Sequence, residues 1–238
     1  MSLFSANSTL PFFPTRQTIY IICSTIVLQV VVVVLCFRWF GSETAGNNLG
    51  GLQMATLTVF PATAGLAWIW LHAIWSEPRG WHGVGMSQPP TKLLIPAIFA
   101  GIFALVLNNL IGHLFQPILG APSPLPIGGE GGLSEQSGLV IAAFFIGAVV
   151  LAPALEELIF RGILFARLRQ KYTFLPAAAI AAVTHAAMHG DVATMPGLTV
   201  VFMIFAYLYE KYRCLWLPII AHGVHNLLIA GAAILSAG

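Results

Sequence analysis

The chain has 238 residues, 58% of them hydrophobic and only 8% charged, where a soluble domain has about 25% charged. So little charge cannot cover a soluble surface of this size, and a bilayer has to supply the missing environment. A net charge of +2 without a dense Lys/Arg block excludes a nucleic-acid partner, because nothing is present to neutralise phosphates. Cys23, Cys36 and Cys214 lie in or beside apolar runs, with neither a disulfide framework nor zinc-ligand spacing, and read as small buried hydrophobes.

The expected fold class is all-α, a polytopic membrane bundle of about seven transmembrane helices. Residues 1–17 form an N-terminal tail. A spanning helix needs about 20 mostly apolar residues, and the stretches that approach this are 18–37, 52–75, 93–119, 138–168, 174–189, 196–209 and 215–235. The first is too long for a signal peptide and lacks a small-residue cleavage site, so it reads as an anchor. The fifth and sixth are short, and start in the preceding loops or sit where protein rather than lipid surrounds them. Residues 18–119 make a three-helix scaffold half. Residues 120–137 are a Gly/Pro-rich outer loop without regular structure, read as a flexible connector in preference to a substrate lid. Residues 138–238 make a four-helix catalytic half. No internal repeat is evident, which counts against an inverted-repeat transporter.

Seven spans put Arg16, Arg79, Lys92, Arg167, Arg169, Lys171, Lys211 and Arg213 on one side and only Arg38 on the other. Lys/Arg excess marks the cytoplasmic face, so the N-terminus is expected inside and the C-terminus outside. Trp68, Trp70, Trp75 and Trp81 fall at the same inner interface, as an aromatic belt does. The chain is accordingly an integral, multi-pass protein, in the cell membrane if its source is prokaryotic.

Spans one to three hold no acidic or basic residue, and His72 and His113 there read as satisfied core residues. Spans four to seven hold Glu156, Glu157, Arg161, His185, His189, His222, His225 and Asn226. Ionisable groups inside a membrane are costly and by default functional. At about 100° per residue, Glu157 and Arg161 lie roughly 40° apart, one turn removed, in the favoured i,i+4 orientation for an ion pair. Glu156 is left free, a carboxylate suited to act as a general base. His185 and His189 are i,i+4 neighbours on span five, His222 and Asn226 on span seven, with His225 about 60° round. Polar groups in lipid must find partners, so these helices should turn them toward one cavity. Such a cavity could hold a water between Glu156 and a histidine, with imidazole and amide N–H groups opposite to stabilise an oxyanion.

Glu156-Glu157-x-x-x-Arg161, then His189, then His222-x-x-x-Asn226 resemble the three motifs of the CAAX protease and bacteriocin-processing family, also called the Abi or type II CAAX-like family. It includes the Ras-converting CAAX endopeptidases. Tyr207-Leu208-Tyr209-Glu210-Lys211 and Leu215-Trp216-Leu217-Pro218-Ile219-Ile220-Ala221-His222 are also close to its wording, so that the resemblance covers residues 151–229. It implies an intramembrane endopeptidase acting on a membrane-associated protein or peptide, CAAX-like and prenylated in part of the family. By position it makes Glu156 and His189 the activators of water, His222 and Asn226 the stabilisers of the oxyanion, and Glu157 and Arg161 supporting residues. The family prefers Phe four residues before its histidine, where this chain has His185, so His185 is either a silent replacement or a site member, as His225 also could be. Glu156 looks nearer the inner face than His189, so span five must begin below Phe174, tilt or be sunken. The rival functions are a non-proteolytic scaffold or bacteriocin-immunity protein of the same fold, and a Glu/His proton-coupled transporter. No cofactor is favoured. A divalent metal such as zinc would fall to Glu156, His189 and His222, but the HExxH signature is absent, since alanine stands where its base would be.

Overall fold

The computed structural model describes residues 13–40, 50–75, 80–89, 91–121 and 132–237. Helices make up this region, and no strand occurs among the described residues. In chain order they are α1 (Thr15–Phe40), α2 (Gly51–Ile74), α3 (Leu94–Leu119), α4 (Gly138–Leu168), α5 (Phe174–Ala187), α6 (Met195–Tyr212) and α7 (Trp216–Ala237). Arg79, residues 1–12 of the tail and residues 122–131 of the outer loop lie outside the described residues.

Five of these helices, α1 to α4 and α7, are long and apolar enough to cross a membrane. The protein is therefore a multi-pass helical membrane protein. The other two are shorter, α5 with 14 residues and α6 with 18. At 1.5 Å per residue they measure about 21 and 27 Å.

α4 carries the polar groups and changes its winding along its length. Wide, π-helical turns occupy Ile146–Leu151 and Leu158–Phe165, on either side of a regular segment ending in Glu156 and Glu157. Such turns are uncommon and gather at functional sites. α4 packs on α2, α5 and α7, while α3 packs on α6 and α7, and α1 on α2. The face of α5 toward its neighbours is built from Ala177, Ala178, Ala181, Ala182 and Ala186, all buried. Small residues of this kind let membrane helices approach closely, here bringing α6 against α5. Gly223 does the same for α7, since a Cβ there would stand 2.6 Å from the Val149 carbonyl oxygen of α4.

Three expectations change at this level. The 120–137 segment is not wholly irregular: Leu133–Glu135 form a short 3-10 turn. Leu133 is an apolar anchor in that polar stretch, buried against Met54, Phe144 and Ala230. Of the cysteines only Cys214 is buried, donating to the Ser87 carbonyl at 3.4 Å. Cys23 is exposed and Cys36 half-buried, because α1 turns much of its surface outward, where a thiol suits lipid as well as a core. His113 is exposed on α3, not packed in a core, whereas His72 packs its ring on Trp68 at 4.0 Å.

The C-terminal end of α4 is tied to the end of α6. Glu210, buried, accepts from Arg169 Nε at 3.1 Å and Nη2 at 2.7 Å, and pairs with Arg213 at 3.3 Å. Beside it the Tyr209 hydroxyl donates to the Val84 carbonyl at 3.3 Å, and Leu215 N–H donates to the Gly85 carbonyl at 2.7 Å. The 80–89 segment thus closes over the start of α7.

Candidate active site

α4, α5 and α7 meet around one chain of polar contacts. Arg161 Nη1 donates to Glu157 Oε1 at 2.9 Å, and both side chains are buried. Arg161 Nη2 donates to the Phe202 carbonyl of α6 at 2.8 Å. Arg161 Nη1 also donates to His185 Nδ1 at 2.9 Å. A guanidinium offers only hydrogens, so His185 Nδ1 must accept, and its Nε2 carries the ring hydrogen. That N–H donates to Glu156 Oε2 at 2.9 Å. The order Glu157–Arg161–His185–Glu156 is therefore directional, with each donor assigned by chemistry.

His222 closes the network from α7. Its Nδ1–H donates to Glu157 Oε1 at 2.9 Å, and its Nε2 faces Glu156 Oε2 at 3.6 Å. Glu156 is thus not the free carboxylate that helix angles alone imply: two histidines flank it. It keeps 28% of its side chain exposed while His185 is 1% exposed. Glu156 is the acid that faces a cavity, and His185 is the residue that holds it.

His185 sits between two rings, stacked on Phe160 at 3.9 Å and on Phe202 at 3.7 Å, with interplanar angles of 10° and 8°. It occupies an aromatic slot while adding two hydrogen bonds that phenylalanine would lack. His189 follows the end of α5 and is exposed. Its Nδ1–H donates to the His185 carbonyl at 3.2 Å. Glu156, His185 and His189 each hold a ligand atom within 4.8 Å of the others.

Asn226 makes its hydrogen bonds with groups other than Glu156. Its Nδ2 donates to the Ala148 carbonyl at 2.9 Å, in the first wide turn of α4, and its Oδ1 accepts from His225 Nδ1 at 3.4 Å. His225 is buried, with Nε2 lacking a partner among the described residues.

The depth question has a simple answer. α4 runs on to Leu168, so Glu156 lies about 18 Å from the C-terminal end of its helix, and His185 about 17 Å from Phe174. They come level without any earlier start of α5. His189 lies one turn further out.

A cavity of ≈ 220 Å³ adjoins these groups. Glu156 and Phe160 of α4, His185 of α5 with His189 beyond it, and Ile26 and Gln29 of α1 line it. α1 belongs to the half read as scaffold, so the catalytic half does not enclose its cavity alone. The reading of polar residues in spans one to three passed over Gln29. The signal was present: one amide in an otherwise apolar run from Ile26 to Phe37.

Residues 138–228 match a family model described as "Type II CAAX prenyl endopeptidase Rce1-like". Over 223 residues the chain is 26% identical to "Putative membrane peptidase YdiL" of Bacillus subtilis (strain 168), covering 90% of this chain and 88% of that one. No solved structure matches the chain. A multi-pass helical protein with such a segment is, by class, a membrane protease. Residues 138–228 are in this respect similar to the family of the CAAX proteases and bacteriocin-processing enzymes.

Proposed function

We propose that the protein is an intramembrane endopeptidase that hydrolyses peptide bonds of membrane-associated proteins with Glu156 as the general base. The observation that carries this is the placement of Glu156, held by His185 yet facing the cavity. A water beside Glu156 loses a proton to the carboxylate as its oxygen attacks the peptide carbonyl. The same proton passes from Glu156 to the departing amine, so the base ends as it began. His189, at the cavity wall, orients the water. His222, once it carries hydrogen on Nε2 as well as on Nδ1, donates to the carbonyl oxygen as charge develops there. Asn226, with one amide hydrogen spent on Ala148, has a second to give. A CAAX-like, prenylated substrate fits the description of the matching family model.

The reaction as proposed needs no metal. Arg161 claims His185 Nδ1, so the ring's other nitrogen carries hydrogen and offers no lone pair to a cation. His222 Nδ1 is committed to Glu157. The spacing of Glu156, His185 and His189 within 4.8 Å favours a metal-dependent second reading, in which Arg161 gives up its bond to His185. Chelation separates the two. In liposomes, Glu156→Gln should lower peptide cleavage by about 10²-fold or more while leaving insertion and melting temperature intact. Chelators should leave the wild type active. Near wild-type turnover by the Gln variant would end the general-base assignment.

A further inference from the structure

The catalytic groups supply only part of the lining of the cavity beside Glu156. With them, from α1, Gln29 lines the cavity, half-buried and without a hydrogen bond to any described residue. Its direction follows from its helix. Thr18, Ile21 and Thr25 are buried on one face of α1, and Gln29 continues that face at i+4 from Thr25. Thr18 and Thr25 satisfy their hydroxyls on backbone carbonyls of their own chain, Phe13 and Ile21, whereas Gln29 lines the cavity. A polar group at membrane depth has to find a partner.

We propose that Gln29 binds the main chain of the substrate segment in the cavity, beside the bond to be cut. This rests on the peptidase reading above. A carboxamide carries a donor and an acceptor together, the pair that an extended peptide displays at each residue. A substrate segment must give up helical hydrogen bonds to expose a peptide bond, and its unmet N–H and C=O groups then need partners away from water. Gln29 offers both without adding a charge, and it reads backbone instead of side chain, so it favours extended segments of varied sequence. α1 packs on α2 and on the Leu158–Phe165 stretch of α4, and residues of α1, α4 and α5 together line the cavity.

The test uses the purified full chain in liposomes with a palmitoylated, internally quenched Gly/Ala/Leu peptide, and a photo-leucine form of that peptide for cross-linking. Gln29→Leu should raise KM about tenfold with kcat within about threefold, as expected for one lost hydrogen bond to bound substrate. Cross-links to residues 26–33 should form in the wild type and fall in the variant. Melting temperature should not drop, because Leu replaces a polar group with an apolar one in lipid. Unchanged KM with unchanged cross-linking would overturn the proposal, as would a lower melting temperature with KM intact, the mark of a structural role. Cleavage that persists in Glu156→Gln, or is absent from the wild type, sinks the peptidase reading instead. Cross-linking then still decides whether Gln29 touches the peptide.

Discussion

His185 and His189 are one turn apart, and their environments separate them. His185 is stacked between Phe160 and Phe202 and donates to Glu156, while His189 is exposed at the cavity. On the family resemblance alone, His185→Phe should be nearly silent. The geometry gives a different expectation. Phe would keep the stack and the fold, but Glu156 would lose its donor and Arg161 one acceptor. His185→Phe should therefore melt near the wild-type temperature and cleave peptide about tenfold more slowly, the value of one hydrogen bond to a charged group. His189→Ala should cost about 10²–10⁴-fold, as for loss of a group acting on the reacting water. Full activity in His185→Phe would show that Glu156 holds its place unaided. The Glu157–Arg161 contact was legible from spacing, because i,i+4 geometry fixes both ends of a pair on one helix. The bond from His185 to Glu156 was not: both helix limits, at Leu168 and Phe174, were in hand, but the bond also needs the two helices to lie side by side with these faces together. Gln29 was missed for a related reason: a single amide declares itself only once the rest of the cavity wall is known.

At the scale of elements, the start and type of all seven helices could be read from apolar length and from breakers such as Pro196 and Gly120. The wide turns of α4 could not, because no residue type demands them. They come with packing, and one of them supplies the Ala148 carbonyl that Asn226 reaches. Close approach of α7 to α4 depends on Gly223, beside His222. Gly223→Ala would press a methyl onto the Val149 carbonyl and push the helices apart, weakening the contact from His222 to Glu157. Overpacking of this kind costs about 1–3 kcal/mol. The variant should melt lower than wild type and lose activity beyond what its folded fraction explains, measured as kcat per correctly folded molecule. A wild-type kcat would mean that α7 tolerates the shift without moving His222.

For the whole molecule, an odd number of crossings places the two termini on opposite sides. The Lys/Arg asymmetry predicts that the α4–α5 connection, with Arg169 and Lys171, lies in the cytoplasm. Cysteines at Lys171 and Leu235, in a background lacking Cys23, Cys36 and Cys214, should label from opposite faces, with Lys171 reached only from inside. Labelling of both from the same face would refute seven crossings. Buried Glu210, paired with the partly exposed Arg169 and Arg213, fastens the connection between α4 and α5 to the end of α6.

The shortness of α5 and α6 reaches beyond the protein itself. A hydrocarbon core is about 30 Å thick, while these two helices measure about 21 and 27 Å. The lipid alongside them has to thin or deform, at a cost that grows with each ångström of mismatch. Acyl chain length thus becomes a setting of the enzyme. Turnover should peak in bilayers of short unsaturated lipids and decline as the chains lengthen, with the protein sorting toward thinner regions of any mixed membrane it inhabits.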